Sequence, residues 1–201
     1  MKKFFNLLSA LLILALSTIL ITGCSASNEK FPPMKTATIH ADKTALEIST
    51  PFELKDYAVP ENLNGAEVHI KRLVIKNAEN NECDILACGY VFDKETIEAQ
   101  TGQPFTPNLE GALLGAVGNI KTVHTSSDVK DVTINGMHGK EITGTLDLKF
   151  DGDSENSRCE FCAQAFGLDG EMWTVMIIRK PGDETKRISD AVFNSLKVSR
   201  R

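Results

Sequence analysis

Apolar and polar residues follow three kinds of pattern along this chain, and each predicts a different element. The first is an unbroken apolar run, LLSALLILALSTILI, over residues 7–21. The second is alternation with a period of two, the mark of a strand with one buried face. From His138 to Phe150, Ile142, Gly144, Leu146, Leu148 and Phe150 share one side, and Glu141, Thr143, Thr145, Asp147 and Lys149 share the other. The third is helical spacing. Leu109, Leu113, Ala116, Val117 and Ile120 form one stripe, behind Asn108 as N-cap and Glu110 in the first turn. Ile188, Val192 and Leu196 form another, in a final helix opened by Pro181-Gly182-Asp183.

The remaining segments fill in around these. ALEISTPFEL predicts a strand ending near Pro51, and AEVHIKRLVIKN (66–77) a strand with Val68, Ile70 and Val74 on one face. ENNE reads as a turn and CDILACGYVF (83–92) as an interior strand. Residues 93–107 read as a polar connector containing Gly102, Pro104 and Pro107. VKDVTI runs into Asn135-Gly136, a pair whose tolerance of positive φ suits a two-residue hairpin turn. RCEFCAQAF, the turn GLDG and EMWTVMIIRK give a further hairpin, with Trp173 expected in the core beside Val175 and Ile177. The predicted class is α+β: an antiparallel β-sheet covered by helices, in a single domain over 45–201.

The leader changes the picture most. Met-Lys-Lys precedes the apolar run, and Ile21-Thr22-Gly23-Cys24 follows it. A positive start, an apolar stretch and small residues at a junction are the plan of a secretory signal, here residues 1–23. Ile21-Thr22-Gly23-Cys24 resembles the lipobox of bacterial lipoproteins. That resemblance implies a diacylglyceryl group on the Cys24 sulfur, fatty acylation such as palmitate, and cleavage that makes Cys24 the new N-terminus. Two acyl chains suffice for stable anchoring, so the membrane is an expected partner through the lipid. The expected location is the extracytoplasmic face of the cell membrane or outer membrane. Residues 24–44, polar and small with Pro32-Pro33, read as anchor and flexible tether.

Composition then narrows the function. The chain is 42% hydrophobic and 24% charged, ordinary material for a globular core. Its net charge is −5, and loss of Lys2 and Lys3 with the leader makes the rest more acidic. An acidic domain lacks the electrostatic attraction that nucleic-acid binding needs, so no nucleic-acid partner is expected.

Besides Cys24 the chain holds Cys83, Cys88, Cys159 and Cys162. An even number in an exported domain points to a disulfide framework, and buried thiols acting as small hydrophobes are the alternative. Each pair falls within one predicted strand on opposite faces, so a bridge inside either pair is geometrically poor. Cys159-Glu160-Phe161-Cys162 lacks the helix N-terminus that activates a redox motif. A four-cysteine zinc site would need knuckle turns where strands are predicted. His40, His69, His124 and His138 are scattered and read as surface or loop histidines. Asp151, Asp153 and Glu155 imitate the start of a calcium loop, but Asn156 and Cys162 stand where Gly and Glu are required. Neither metal nor cofactor is expected.

The opening EISTPFEL, the central VTINGMHGKEITGTLDLK and the closing EMWTVMIIRKPGDETKRISDAVFNSLKVS together resemble the PsbP-like fold, an antiparallel sheet covered by helices. Proteins of that fold range from photosystem subunits to a Ran-binding nuclear-import factor. The resemblance implies a binding or scaffolding module more than an enzyme, facing an unknown envelope protein or ligand, and the size of the expected core predicts a monomer that folds alone. The alternative is an envelope enzyme or a metal or thiol protein built on Cys83, Cys88, Cys159 and Cys162.

Overall fold

The structure, a computed structural model, describes residues 31–57, 69–118, 120 and 123–201. The leader, Cys24 and Val68 lie outside the described residues. From Pro33 onward the chain forms one compact unit. Its strands are β1 (Lys35–His40), β2 (Thr44–Thr50), β3 (Lys55–Asp56), β4 (Ile70–Glu79), β5 (Cys83–Phe92), β6 (Val123–Ser126), β7 (Lys130–Ile134), β8 (Met137–Leu148), β9 (Ser157–Leu168), β10 (Glu171–Arg179) and β11 (Lys197–Arg200). Its helices are α1 (Lys94–Thr101), α2 (Leu109–Gly118) and α3 (Asp183–Ser195).

The strands make two antiparallel sheets. The large one runs β3-β4-β5-β10-β9-β8-β6, with β7 also paired to β8, and the small one runs β1-β2-β11. The fold is therefore α+β, as the patterning requires. β5 lies between β4 and β10, the interior position its apolar run demands. Two-residue turns at Asn135-Gly136 (φ 48° and 79°) and Asp169-Gly170 (φ 54° and 81°) close the β7–β8 and β9–β10 hairpins.

The pairing register sorts the large sheet into two faces. On the outer face, Ile142 and Leu146 of β8 and Phe161, Ala163 and Ala165 of β9 pack against Leu113 and Val117 of α2. Asn108 caps this helix by accepting the Gly111 N–H at 2.8 Å. The predicted stripe holds except at Ala116, which is exposed. The inner face carries Trp173, Val175 and Ile177 of β10 beside Ile85 and Ala87 of β5, all buried. Its cover comes from β2 and from α3, whose Ile188 and Val192 are buried, as is Leu196 at its C-cap. The Ser195 hydroxyl accepts the Ser49 N–H at 2.8 Å and ties α3 to β2.

A polar clasp joins the two sheets. Glu171, at the start of β10, is only 2% exposed. Its carboxylate accepts the Lys43 N–H at 2.7 Å, the Thr44 N–H at 3.0 Å and the Thr44 hydroxyl at 2.6 Å. The same hydroxyl accepts the indole N–H of Trp173 at 2.9 Å. A buried carboxylate is tolerated because its oxygens are met by donors. Trp173 in turn lies over Gly89, its partner on β5, where a Cβ would stand 2.7 Å from the ring. Only glycine leaves that space.

Two sequence expectations need correction, and a further strand follows α3. The tether expected over 24–44 ends earlier, because Lys35–His40 is a strand and its Ile39 is buried against the domain. Domain residues therefore begin before 45. The connector expected over 93–107 contains α1, capped by Asp93, which accepts the Thr96 N–H, and closed by Gly102 at φ 66°. Lys197–Arg200 leaves α3 to pair with β2 as a third strand.

Candidate functional site

The alternation in β8 predicts a solvated face, and the structure makes that face the floor of a groove. Glu141, Thr143 and Thr145 of β8 lie beside Glu160, Cys162 and Gln164 of β9 on the inner face. α3 crosses this face toward β2 and shelters the β10 side of it. The flank of α3 next to its buried stripe carries Lys186, Ser189, Asp190, Phe193 and Asn194, which form the opposite wall. The resulting open hollow measures about 660 Å³. A second hollow of about 220 Å³ adjoins it, bounded by Thr133, Ile134, Asn135, Leu196 and Lys197. Both share Gln164, Phe193 and Asn194, so they meet at the middle of one groove. A separate hollow of about 450 Å³ lies between the 105–109 segment and the β9–β10 turn.

The cations in the larger hollow are paired with carboxylates, and Glu141 is met by neutral donors. Arg179 donates to Glu160 across the β9–β10 pair. Lys186 donates to Asp190 one helical turn on, at 2.7 Å. The Gln164 amide donates to Glu141 at 2.8 Å. Burial pushes the Cys162 thiol up from its ordinary range, and the neighbouring Glu141 carboxylate pushes it further. The thiol is therefore protonated at neutral pH and a poor nucleophile.

The other cysteines are no better placed for chemistry. Burial pushes Cys83 up to about 12 and Cys88 up to about 11, and it raises Cys159 as well. All four are free thiols. The expected bridge fails for a topological reason. Cys83 and Cys88 belong to β5, Cys159 and Cys162 to β9, and β10 stands between them. Two strand spacings make roughly 10 Å, beyond the ~7 Å limit for a disulfide between Cα atoms. Within each pair the residues point to opposite faces, as the sequence implies. The same separation keeps the four thiols from one metal site. No group of three or more His, Cys, Asp or Glu converges among the described residues.

The histidines and the calcium-like turn also have local partners. His69 Nε2 lies 2.9 Å from Gln100 Oε1, His124 Nε2 lies 2.5 Å from Asp147 Oδ2, and His138 Nε2 lies 3.5 Å from Asp131. Asp153 accepts from Lys180 at 2.8 Å. Among the described residues no helix is long and apolar enough to cross a membrane.

No protein-family model and no curated protein matches this chain. Among the solved structures similar to it are the following two. One is the solution structure of cyanobacterial PsbP (CyanoP) from Synechocystis sp. PCC 6803, with a TM-score of 0.43 and 12% identity over 89% of this chain and 99% of that one. The other is the crystal structure of LpqN, involved in cell envelope biogenesis of Mycobacterium tuberculosis, with a TM-score of 0.41 and 12% identity over 83% of this chain and 91% of that one. The α+β class of the present protein rests on its own elements and register.

Sequence reasoning finds half of the groove. The polar row Glu141, Thr143 and Thr145 is visible in the alternation. Phe193 and Asn194 are not, because they count as the outer flank of an amphipathic helix until the helix is set over β9. The alternation of Glu160, Cys162 and Gln164 against Phe161 and Ala163 is the one signal that joins the two.

Proposed function

We propose that this protein is a non-catalytic binding module of the bacterial cell envelope, anchored to the membrane by acyl chains on Cys24. The observation that carries the reading is the junction Ile21-Thr22-Gly23-Cys24 behind Lys2, Lys3 and a long apolar run. Such a chain is exported and needs no membrane-spanning helix to stay at the surface. The domain after the anchor supports a binding role. Its thiols are dispersed by β10 and protonated, and the hollow beside α3 is lined by polar side chains whose cations are already paired.

Metabolic labelling with an alkyne analogue of palmitate tests the anchor. Expressed in a bacterium, the protein is expected to take up the label and to sediment with membranes. Cys24→Ala is expected to lose the label and accumulate as the longer precursor. Label retained by Cys24→Ala overturns the assignment.

A further inference from the structure

We infer that the groove between α3 and strands β8 and β9 binds an extended, neutral oligosaccharide across Phe193. The inference rests on the binding-module reading and names its site and ligand class.

Shape argues first. The two hollows adjoin at Gln164, Phe193 and Asn194, and both are open to solvent instead of forming a closed pouch. Adjoining hollows of that kind receive a segment of a chain, with the shared residues under its middle.

The floor argues second. It is built from strand faces, not from a strand edge. β9 is paired on both sides by β8 and β10, and β8 is paired by β9 on one side and by β7 and β6 on the other. Under the larger hollow the backbone N–H and C=O groups of β8 and β9 are spent in ladders, so a peptide cannot add there as a further strand. Recognition in that hollow must come from side chains.

The side chains argue third. Its three cations are held by carboxylates, Arg179 by Glu160, Lys186 by Asp190 and Lys197 by Glu47, which leaves no unpaired positive centre for a phosphate-bearing chain. No broad apolar strip offers itself to a lipid tail. What remains is planar and polar. The Gln164–Glu141 bond uses the amide N–H and one carboxylate oxygen. Glu141 also accepts from the Cys162 thiol, so the Gln164 amide oxygen is the acceptor left for a hydroxyl proton. The Asn194 amide stands exposed on the facing wall. Amides of this kind match pairs of neighbouring sugar hydroxyls. The half-buried Phe193 ring supplies a flat apolar surface for the C–H face of a pyranose.

The test is calorimetric titration of the full chain, purified in detergent, with cellotetraose, the β-1,4-linked N-acetylglucosamine tetramer and a neutral alanine–serine tetrapeptide. At least one tetrasaccharide is expected to bind, and the tetrapeptide is expected not to. Phe193→Ala is expected to weaken sugar binding about tenfold, as removal of a central anchor does. Phe193→Leu, which keeps bulk and loses the ring, is expected to weaken it too. Asn194→Ala, at an exposed position, is expected to cost a few-fold with an unchanged melting midpoint, so the site stays testable if Phe193→Ala unfolds. The inference is overturned if neither tetrasaccharide binds, if the tetrapeptide alone binds, or if sugar binding survives all three substitutions undiminished. Palmitate-analogue labelling of the same preparations separates the two readings. A labelled protein blind to sugars removes this inference and leaves the lipoprotein reading standing. A sugar-binding protein without label does the reverse.

Discussion

The inner face of the large sheet has two halves that share one plane and differ in every other respect. Over β5 and β10 it is dry: Ile85, Ala87, Trp173, Val175 and Ile177 are buried beneath β2 and α3. Over residues 141–145 of β8 and 160–164 of β9 it is wet: Glu141, Thr143, Glu160 and Gln164 line an open groove. Phe166 of β9, opposite Trp173, stays on the dry side. Where Val175 pairs with Gln164 and Ile177 with Cys162, the border falls between neighbouring strands. There one strand spacing separates a core from an open groove because α3 and the small sheet reach only that far. The lesson is that a strand's alternation tells which residues share a face, whereas the covering layer decides what that face is for.

The contrast breaks most sharply at Trp173. Trp173→Ala empties the centre of the dry half and removes the indole N–H that donates to the Thr44 hydroxyl. A loss of about 3–5 kcal/mol is expected in urea unfolding. A loss below ~1 kcal/mol would show that the dry half is not the main store of stability.

Glu171→Gln tests the clasp that holds the cover over the dry half. The amide presents N–H donors where a carboxylate oxygen accepts from Lys43 or Thr44, so one or two buried donors lose their acceptor. A cost of about 1–3 kcal/mol is expected, measured by the same denaturation. A neutral result would mean that the sheets are held together by apolar burial alone.

The cysteines sharpen the comparison by pH. Cys83 is fully buried on the dry half, and Cys162 is partly exposed on the wet half. Iodoacetamide is expected to modify Cys162 before Cys83 in the native protein, and both far more slowly than after unfolding. The stability effect has a definite sign. In the unfolded chain thiols ionise from about 9.0, whereas Cys88 and Cys83 are held up to about 11 and about 12 when folded. Their contribution is therefore complete below about pH 9 and is lost as pH rises toward 12. Each thiol withdraws up to ~1.4 kcal/mol per pH unit in that window. A Cys83→Ala/Cys88→Ala variant is expected to lose stability less steeply between about pH 9 and pH 11, read from urea midpoints. Parallel curves would refute the assignment.

How much of this is legible in the residues depends on the range of the interaction. The β7–β8 hairpin is plain because Asn135-Gly136 and the alternation after it are local. α3 is plain because its buried stripe spans the whole helix. α1 escapes notice because it is short and weakly amphipathic, although Asp93 and Gly102 mark its two ends. β1 escapes because KTATIH, an edge strand, is rich in threonine and lysine and exposes most of its positions. The groove depends on the register of β8 against β9 and on the place where α3 comes down. Neither is written in any one segment, so Phe193 and Gln164 become neighbours only once the sheet is assembled.

The small sheet also bears on how the protein is made. β2 sits between β1 and β11, and its second edge is completed by Val198 opposite Leu46 and by Arg200 opposite Thr44. Residues near the beginning of the domain thus wait for partners about 150 positions downstream. A chain delivered from its N-terminus, by a ribosome or through a secretion channel, cannot close this sheet until Lys197–Arg200 has emerged. Until then Leu46 and the indole of Trp173 lack their final enclosure. The small sheet is thus among the last parts of the domain to close in a chain delivered from its N-terminus.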